Sequence, residues 1–315
     1  MSPLDWLLDS DPAIRWQVLR DLVKAPDEIV SKERARVAVA GWGARLLDLQ
    51  AEDGQWAGGA CFPAPELDDD DGGQPWISTL PTLQLLHDFG VDPQAERVRR
   101  AIHLVKDGCR WEHAGQPFFS GEVEPCINGR AVTLGVYFGQ DVSGIVDRLV
   151  REQLEDGGWN CEAERGSVRS SFDTTINVLE GLWAYERASG GSAELIAARR
   201  RGEEYLLERR LFRRKSTGEV VNGAWLQFSF PTHWQYDVLR ALDYFRSVGG
   251  RPDTRIGEAI DLLRSKQRPQ GTWPLENTHP GKVHFSLEDG DGQPSRWNTL
   301  RAVRVLRWYE SFRQK

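Results

Sequence analysis

Apolar residues recur at helical spacing along most of the chain, in segments that alternate between a charged, amphipathic kind and a more apolar kind. In segment 172–188, for example, Ile176, Leu179 and Leu182 follow each other at three-residue intervals and share one helical face. The pattern predicts charged helices over 28–50, 93–106, 142–154, 195–211 and 254–267. It predicts more apolar helices over 12–23, 79–90, 128–139, 172–188, 233–248 and 297–312.

This alternation predicts two layers of helices. Polar outer helices that alternate with apolar inner helices are what two concentric rings require, and no run of alternating residues is long enough to predict a sheet. We therefore predict an all-α fold, an α/α toroid with two concentric rings of about five to six helix pairs. We expect residues 1–315 to form a single domain.

The turns between helices reuse one motif, which explains the unusual number of tryptophans, 13 in 315 residues. A glycine precedes a tryptophan by one to three residues at the end of five charged segments. The glycine supplies the left-handed backbone that ends a helix, and we expect the tryptophan to fold back against the helix end. A preceding glutamine can then hydrogen-bond the turn or the next helix. The five tryptophans are Trp56, Trp111, Trp159, Trp225 and Trp273.

Charge and cysteine content narrow the functional classes. The net charge of -7 and the lack of a coherent basic patch argue against a nucleic-acid partner. No apolar run reaches the ~20 residues of a membrane span, and the first residues lack the features of a signal peptide, so we expect a cytoplasmic protein. Four scattered cysteines are too few for a disulfide scaffold and are expected to stay reduced.

Three of the turns resemble the QW repeat of the squalene cyclase and prenyltransferase superfamily, in which a glutamine, a glycine and an aromatic residue follow at short intervals. The resemblance implies the toroid fold and an apolar isoprenoid as ligand. The chain is about half the size of a squalene-hopene cyclase, so it resembles a single-ring member whose second ring would come from another protein domain or from a homo-oligomer. The matching segments are Gln50 to Trp56, Gln153 to Trp159 and Gln267 to Trp273.

An acidic run follows the first turn and is the first candidate for chemistry. Asp68, Asp69, Asp70 and Asp71 satisfy the Asp-x-Asp-Asp motif of class II terpene cyclases, which they resemble. The resemblance implies that Asp70 donates a proton to an alkene or epoxide, with Asp68 and Asp71 beside it and without a cofactor. Crowded carboxylates raise one another's pKa, which keeps such an acid protonated. The glycines that follow equally favour a solvated acidic loop.

Residues at the starts of the apolar helices form the second candidate, since all would share one rim of the barrel. Protein prenyltransferases hold zinc at such a rim with Asp, Cys and His ligands, and the resemblance implies the same possibility here. The alternative is a set of buried cysteines and helix-capping residues. The candidate zinc ligands from helix starts are Cys126, Asp173 and His233, and Cys161 from the turn after Trp159 can join them.

Aromatic and polar residues near the same helix starts predict a ligand pocket. Aromatic rings line apolar cavities and stabilise carbocations, so together they indicate an apolar central cavity. The predicted pocket residues are Trp76, Glu124, Phe172, Trp234, Tyr236, Trp297 and Asn298.

Three functions follow from these sites. The first is a class II terpene-cyclase-like isomerase that cyclises an isoprenoid in the aromatic cavity. The second is a zinc-dependent enzyme of prenyltransferase type, in which the metal activates a water or a thiol. The third is a non-catalytic toroid that binds a ligand or a protein partner.

Overall fold

The computed structural model describes residues 2–67 and 73–312, and within these ranges the regular secondary structure is almost entirely helical. The α-helices of the described part are α1 (Pro3–Leu8), α2 (Pro12–Val18), α3 (Asp27–Ala35), α4 (Gly41–Asp48), α5 (Thr79–Phe89), α6 (Glu96–Gly108), α7 (Pro125–Tyr137), α8 (Ser143–Arg151), α9 (Phe172–Ser189), α10 (Ala193–Leu207), α11 (Val238–Val248), α12 (Gly257–Ser265) and α13 (Arg296–Ser311). Two short strands, β1 (Trp273–Pro274) and β2 (Pro294–Ser295), pair antiparallel. The all-α prediction is confirmed.

Six of the helices close into an inner ring. Along the chain, α5 packs on α7, α7 on α9, α9 on α11, α11 on α13, and α13 on α2. The ring closes between α2 and α5, where the Trp16 indole N–H donates to the Phe89 carbonyl (2.8 Å) and the Gln17 amide to the Asp88 carbonyl (2.9 Å). The predicted concentric arrangement of about five to six pairs is therefore present.

The remaining helices pack outside this ring. In α6, for example, Val98, Ala101, Ile102 and Val105 are buried while the polar residues between them face outward. Apolar residues at this spacing form one stripe, which is the face that an outer helix turns toward the core. Within the described residues, no helix has the length and apolar character needed to cross a lipid bilayer.

The glycine–tryptophan turns share one geometry at three of the five positions. Trp56, Trp159 and Trp273 are fully buried. Each indole N–H donates at 2.7 Å to a carbonyl ten residues earlier, on the last turn of the preceding outer helix. Each tryptophan backbone N–H donates to a threonine hydroxyl in the next inner helix, so the turn joins the two rings. The carbonyls belong to Leu46, Leu149 and Leu263, and the hydroxyls to Thr79, Thr175 and Thr299.

Glutamine side chains tie successive outer helices together, as predicted. The Gln50 amide donates to the Ala101 carbonyl on α6 (2.9 Å), and the Gln153 amide donates to the Ala198 carbonyl on α10 (2.7 Å). Both amides also donate to a glycine carbonyl of their own turn. Each glutamine therefore joins its own turn to the middle of the next outer helix.

Two turns depart from this geometry. The Trp111 indole N–H donates forward to the Phe118 carbonyl (2.9 Å) instead of backward, and its segment has no glutamine. Trp225 is only half-buried and packs against Phe172 and Tyr236. The motif therefore marks every repeat, but only the complete motif forms the complete turn.

The first predicted outer helix, 28–50, is wrong as a continuous element, because it divides into α3 and α4 around Gly41. Gly41 has a φ of +70°, and a Cβ atom there would lie 2.1 Å from the Asp11 carboxylate. That carboxylate caps α2 through the Ala13 N–H and also accepts from the Trp42 N–H (2.8 Å). The predicted inner helix 233–248 likewise begins later, at Val238.

Candidate functional site

Most of the predicted site residues that the structure describes lie where the inner helices begin. Cys126 is in the first turn of α7, Asp173 in the first turn of α9 and Trp297 in the first turn of α13. Glu124 directly precedes α7, and His233 lies in the segment that leads into α11. We call this end of the inner ring the mouth.

Two cysteines from different repeats meet at the mouth. The Cys126 and Cys161 sulfur atoms are 2.8 Å apart, and a Glu124 carboxylate oxygen lies 3.5 Å from the Cys126 sulfur. All three ligand atoms lie within 4.8 Å of one another. The Thr174 hydroxyl donates to the Cys161 sulfur at 3.4 Å and helps to orient it. We call Glu124, Cys126 and Cys161 the cysteine cluster.

The other two predicted zinc ligands lie outside this cluster and have other contacts. The Asp173 carboxylate accepts from the Tyr236 N–H (2.7 Å), and burial raises its pKa. The His233 ring stacks on the Trp76 ring at a centroid distance of 3.8 Å. The structure thus brings together two of the four predicted ligands and adds Glu124, which the sequence pattern placed in the pocket.

Without a cation, the Cys126 thiol is held in its neutral form. The hydrogen bond from Cys161 is the largest influence that raises the pKa of the Cys126 thiol, and burial adds to it. A cation that binds a thiolate displaces the proton of the thiol, so the cation binds more strongly as the pH rises. Two sulfurs and a carboxylate are ligand types that suit zinc, and the fourth tetrahedral position would stay open.

Arg130 lies beneath the cluster, one helical turn from Cys126 on α7 and so about 6 Å along the helix axis. It is only 3% exposed, and its Nε and Nη2 atoms have no hydrogen-bond partner in the described part of the chain. Burial lowers its pKa, while the nearby Cys61 and Cys126 sulfurs act in the opposite direction. An unpaired buried guanidinium is costly and calls for an anionic neighbour.

The predicted catalytic residues Asp68, Asp70 and Asp71 lie outside the described residues. The ends of their segment are described, and both lie against the loop around residue 280. Gly73 packs so closely on Pro280 that a Cβ atom would lie 2.6 Å from the Pro280 carbonyl group. The Trp76 indole N–H donates to the same carbonyl (2.9 Å), which places this chain segment beside the His233 ring.

The predicted pocket residues divide between three places. Trp76 and Trp234 lie at the mouth, where the Trp234 indole N–H donates to the Gln74 side chain (3.0 Å). Phe172 and Tyr236 pack together, and Phe172 lines a second, open cavity of about 620 Å³. Trp297 stacks on Phe230, and its neighbour Asn298 donates to backbone carbonyls of the adjoining loops.

A central cavity of about 410 Å³ extends from the mouth into the inner ring and receives side chains from all six inner helices. Of the predicted pocket residues only Trp297 lines it. The walls carry other aromatic residues and are also strongly charged, so the predicted apolar character is wrong. Its aromatic lining comprises Trp16, Tyr137, Trp183, Phe230, Tyr244 and Trp297. Its charged lining comprises Arg20, Arg34, Asp88, Glu180, Arg187, Arg240, Asp243, Arg246, Arg301 and Arg304.

Many of these charges pair inside the ring. The Arg240 guanidinium binds the Glu180 carboxylate (2.6 Å) and also donates to the Asn177 side chain (2.9 Å). A sequence signal for this network exists, because Arg240 stands between the fully buried Leu239 and Ala241. A charged residue inside an apolar run of an inner helix has to find its partners within the ring.

Comparison with known proteins gives little further information. No family model and no curated protein matches the chain. Solved structures with a similar backbone include a protein from Actinoplanes, at 18% identity and a TM-score of 0.46 over 96% of this chain and 90% of that chain. They also include two variants of the type II terpene cyclase MstE from Scytonema. The variant in complex with its substrate geranylgeranyl dihydroxybenzoate has 15% identity and a TM-score of 0.41, over 94% of this chain and 84% of that chain. The variant in complex with the product merosterolic acid A has 16% identity and a TM-score of 0.43, over 94% of this chain and 85% of that chain. At these values the likeness carries no information about the chemistry of this chain.

Proposed function

We propose that the protein is a metal-dependent toroid enzyme that holds zinc in the cysteine cluster. The observation that carries the proposal is the convergence of three ligand atoms within 4.8 Å, from residues 35 positions apart that two different repeats bring to the mouth. Glu124, Cys126 and Cys161 would hold the ion. Three protein ligands are typical of a catalytic zinc site, whose open position supplies a Lewis acid for a water or a thiol.

Arg130 supports this proposal through charge balance. Two thiolates and a carboxylate around Zn²⁺ carry a net charge of -1, and the guanidinium with two unpaired nitrogen atoms lies one helical turn away. In the absence of such an anion the buried charge of Arg130 is poorly compensated. Arg130 is therefore a positioning residue, which stabilises the charged form of the cluster without ligating the metal.

The test is the metal content of protein purified without a metal-affinity tag. We expect about one zinc ion per chain by elemental analysis, as a three-ligand site predicts. Cys126→Ser and Cys161→Ser should lose the zinc, because each removes a thiolate ligand. Cys109→Ser is the matched control, since Cys109 is a buried thiol outside the cluster and the variant should keep its zinc.

Cobalt titration gives a second measurement that does not depend on how the metal is retained during purification. Thiolate ligation of Co²⁺ produces a charge-transfer band, which we expect in the wild type and in Cys109→Ser but not in the two cluster variants. Absence of both stoichiometric zinc and this band from correctly folded wild-type protein contradicts the proposal.

A second candidate function is the proton-initiated cyclisation of an isoprenoid, with Asp70 as the acid and Asp68 and Asp71 beside it. It is supported by the packing of Gly73 and Trp76 against Pro280, which holds the described residues that follow the acidic run in sequence at the mouth. Incubation with farnesyl, geranylgeranyl or squalene-type substrates should yield a cyclised product that Asp70→Asn abolishes. A product that persists in Asp70→Asn removes this acid from the mechanism.

Both candidate functions share the same domain organisation, location, ligand class and partners. We infer that residues 1–315 form a single α/α toroid that acts in the cytoplasm on an apolar small molecule. A second copy of the chain or a second protein domain would close the mouth. Sedimentation analysis of the purified chain distinguishes a monomer from a homo-oligomer.

A further inference from the structure

The central cavity holds more positive charge than its own carboxylates balance. Seven arginines line it, against three carboxylates, and Asp21 outside the lining pairs with two of the arginines. Excess charge of one sign inside a low-dielectric ring attracts ions of the other sign strongly.

Unpartnered donors belong to residues that line the same space. Trp297 is 98% buried, since its exposed fraction is 2%, and its indole N–H has no hydrogen-bond partner among the described residues. The Trp183 indole N–H and the Arg304 Nε are buried and unpartnered in the same way, and all three residues line the cavity. Among the described residues of the cavity lining, every buried side-chain polar atom without a partner is therefore a donor.

Arg187 adds a charge at an exposed position of the cavity lining. It lines the cavity, lies over the Trp183 ring at 5.9 Å, and forms no ion pair with any described residue. Arg34, which also lines the cavity, donates to the Gly90 carbonyl and the Tyr137 hydroxyl and forms no ion pair with a described carboxylate. Native proteins rarely leave buried donors unpaired unless a ligand, an ion or water completes them.

We propose that the central cavity is a binding site for a small-molecule oxyanion, a compound with phosphate or carboxylate oxygens. Such oxygens accept from the Trp297 and Trp183 indoles and pair with Arg187, which are bonds between a charged acceptor and fixed donors. The volume of about 410 Å³ is that of a small-molecule site. The stacked Phe230 and Trp297 rings provide an apolar wall for the rest of the ligand. The site is separate from the cysteine cluster and does not depend on zinc.

The experiment measures binding of two probes, inorganic pyrophosphate and citrate, by calorimetry and by tryptophan fluorescence. We expect micromolar binding of at least one probe, and the preferred probe distinguishes a phosphate site from a carboxylate site. Arg187→Gln should weaken binding about tenfold, and Trp297→Phe, which keeps the ring and removes the donor, should weaken it several-fold.

Matched controls separate the cavity from the outer surface. Arg200→Gln removes the same charge from an exposed position on α10, and Trp308→Phe removes an indole donor that already binds the Gly250 carbonyl (3.0 Å). Neither change should alter binding. Circular dichroism and the melting temperature of each variant confirm that it is folded.

Two results overturn the proposal. One is that neither probe binds below millimolar concentration, which would mean that water, and not an anion, accepts hydrogen bonds from the unpaired donors. The other is equal binding by wild type, Arg187→Gln and Trp297→Phe, which places the anion elsewhere. Repeating the titration with zinc-free Cys126→Ser keeps this outcome distinct from a failure of the metal proposal.

Discussion

Two buried arginines on inner helices, Arg130 of α7 and Arg240 of α11, occupy opposite electrostatic situations. Arg240 binds the Glu180 carboxylate, the Asn177 side chain and two backbone carbonyls. Arg130 is buried to a similar degree, yet two of its nitrogen atoms have no partner in the described part of the chain.

The difference separates a structural role from a ligand-binding role. A saturated charge network holds inner helices together, and it leaves no group free for a substrate. An unsaturated buried charge costs free energy in the protein alone and becomes favourable only when another ion is present. Function in this toroid is therefore expected at the mouth and in the central cavity, where donors remain open, and not at the Glu180–Arg240 pair.

The largest expected effect comes from breaking the saturated network. Arg240→Met leaves Glu180 and Asn177 without their partner, and we expect it to reduce the free energy of unfolding by about 3–5 kcal/mol, the usual cost of breaking a buried pair. Chemical denaturation measures this loss. The matched control is Arg246→Met, since Arg246 forms its ion pair with Asp243 in the same cavity but makes fewer hydrogen bonds. Equal losses in both variants would show that the network adds nothing to the ion pair.

The contrast between these two arginines also shows what the sequence can predict. The helices, the order of the rings and the three complete turns follow from local patterns, since Gln153, Gly157 and Trp159 contact residues at fixed offsets. The break at Gly41 was missed, because it depends on Asp11, which is distant in sequence and caps another helix.

The contacts between side chains at the mouth are harder to predict from the sequence than the helices and turns. Helix starts can be located from the sequence, so Cys126 and Cys161 were placed at one rim and do meet there. Which side chains touch across the ring depends on rotation and side-chain length, so Asp173 and His233 were grouped with them although they contact other residues. The charged cavity was missed because an average over the whole helix hides single charges such as Arg240.

The next expected effect is smaller and tests the unsaturated arginine. Arg130→Met removes an unpaired buried charge, so we expect the zinc-free protein to keep its stability within about 1 kcal/mol or to gain some. Zinc affinity should fall by about 10–100-fold, the range seen for residues that support metal ligands from outside the coordination sphere. Competition with a chelator measures the affinity. A loss of stability as large as that of Arg240→Met, without change in zinc affinity, would contradict the distinction between the two arginines.

The smallest expected effect concerns His233, whose ring both arginines influence. Burial, with Arg130 and Arg240 beside it, holds the pKa of His233 well below 6.5. The unfolded chain therefore binds this proton first, and stability is lost as the pH falls below about 6.5. Arg130→Met removes one cation and should raise the pKa of His233, which NMR titration of its imidazole signals measures. Arg130→Lys keeps the positive charge. It should therefore change the pKa of His233 less than Arg130→Met does. Equal shifts in the Met and Lys variants would mean that packing, and not the open charge of Arg130, controls the imidazole at the mouth.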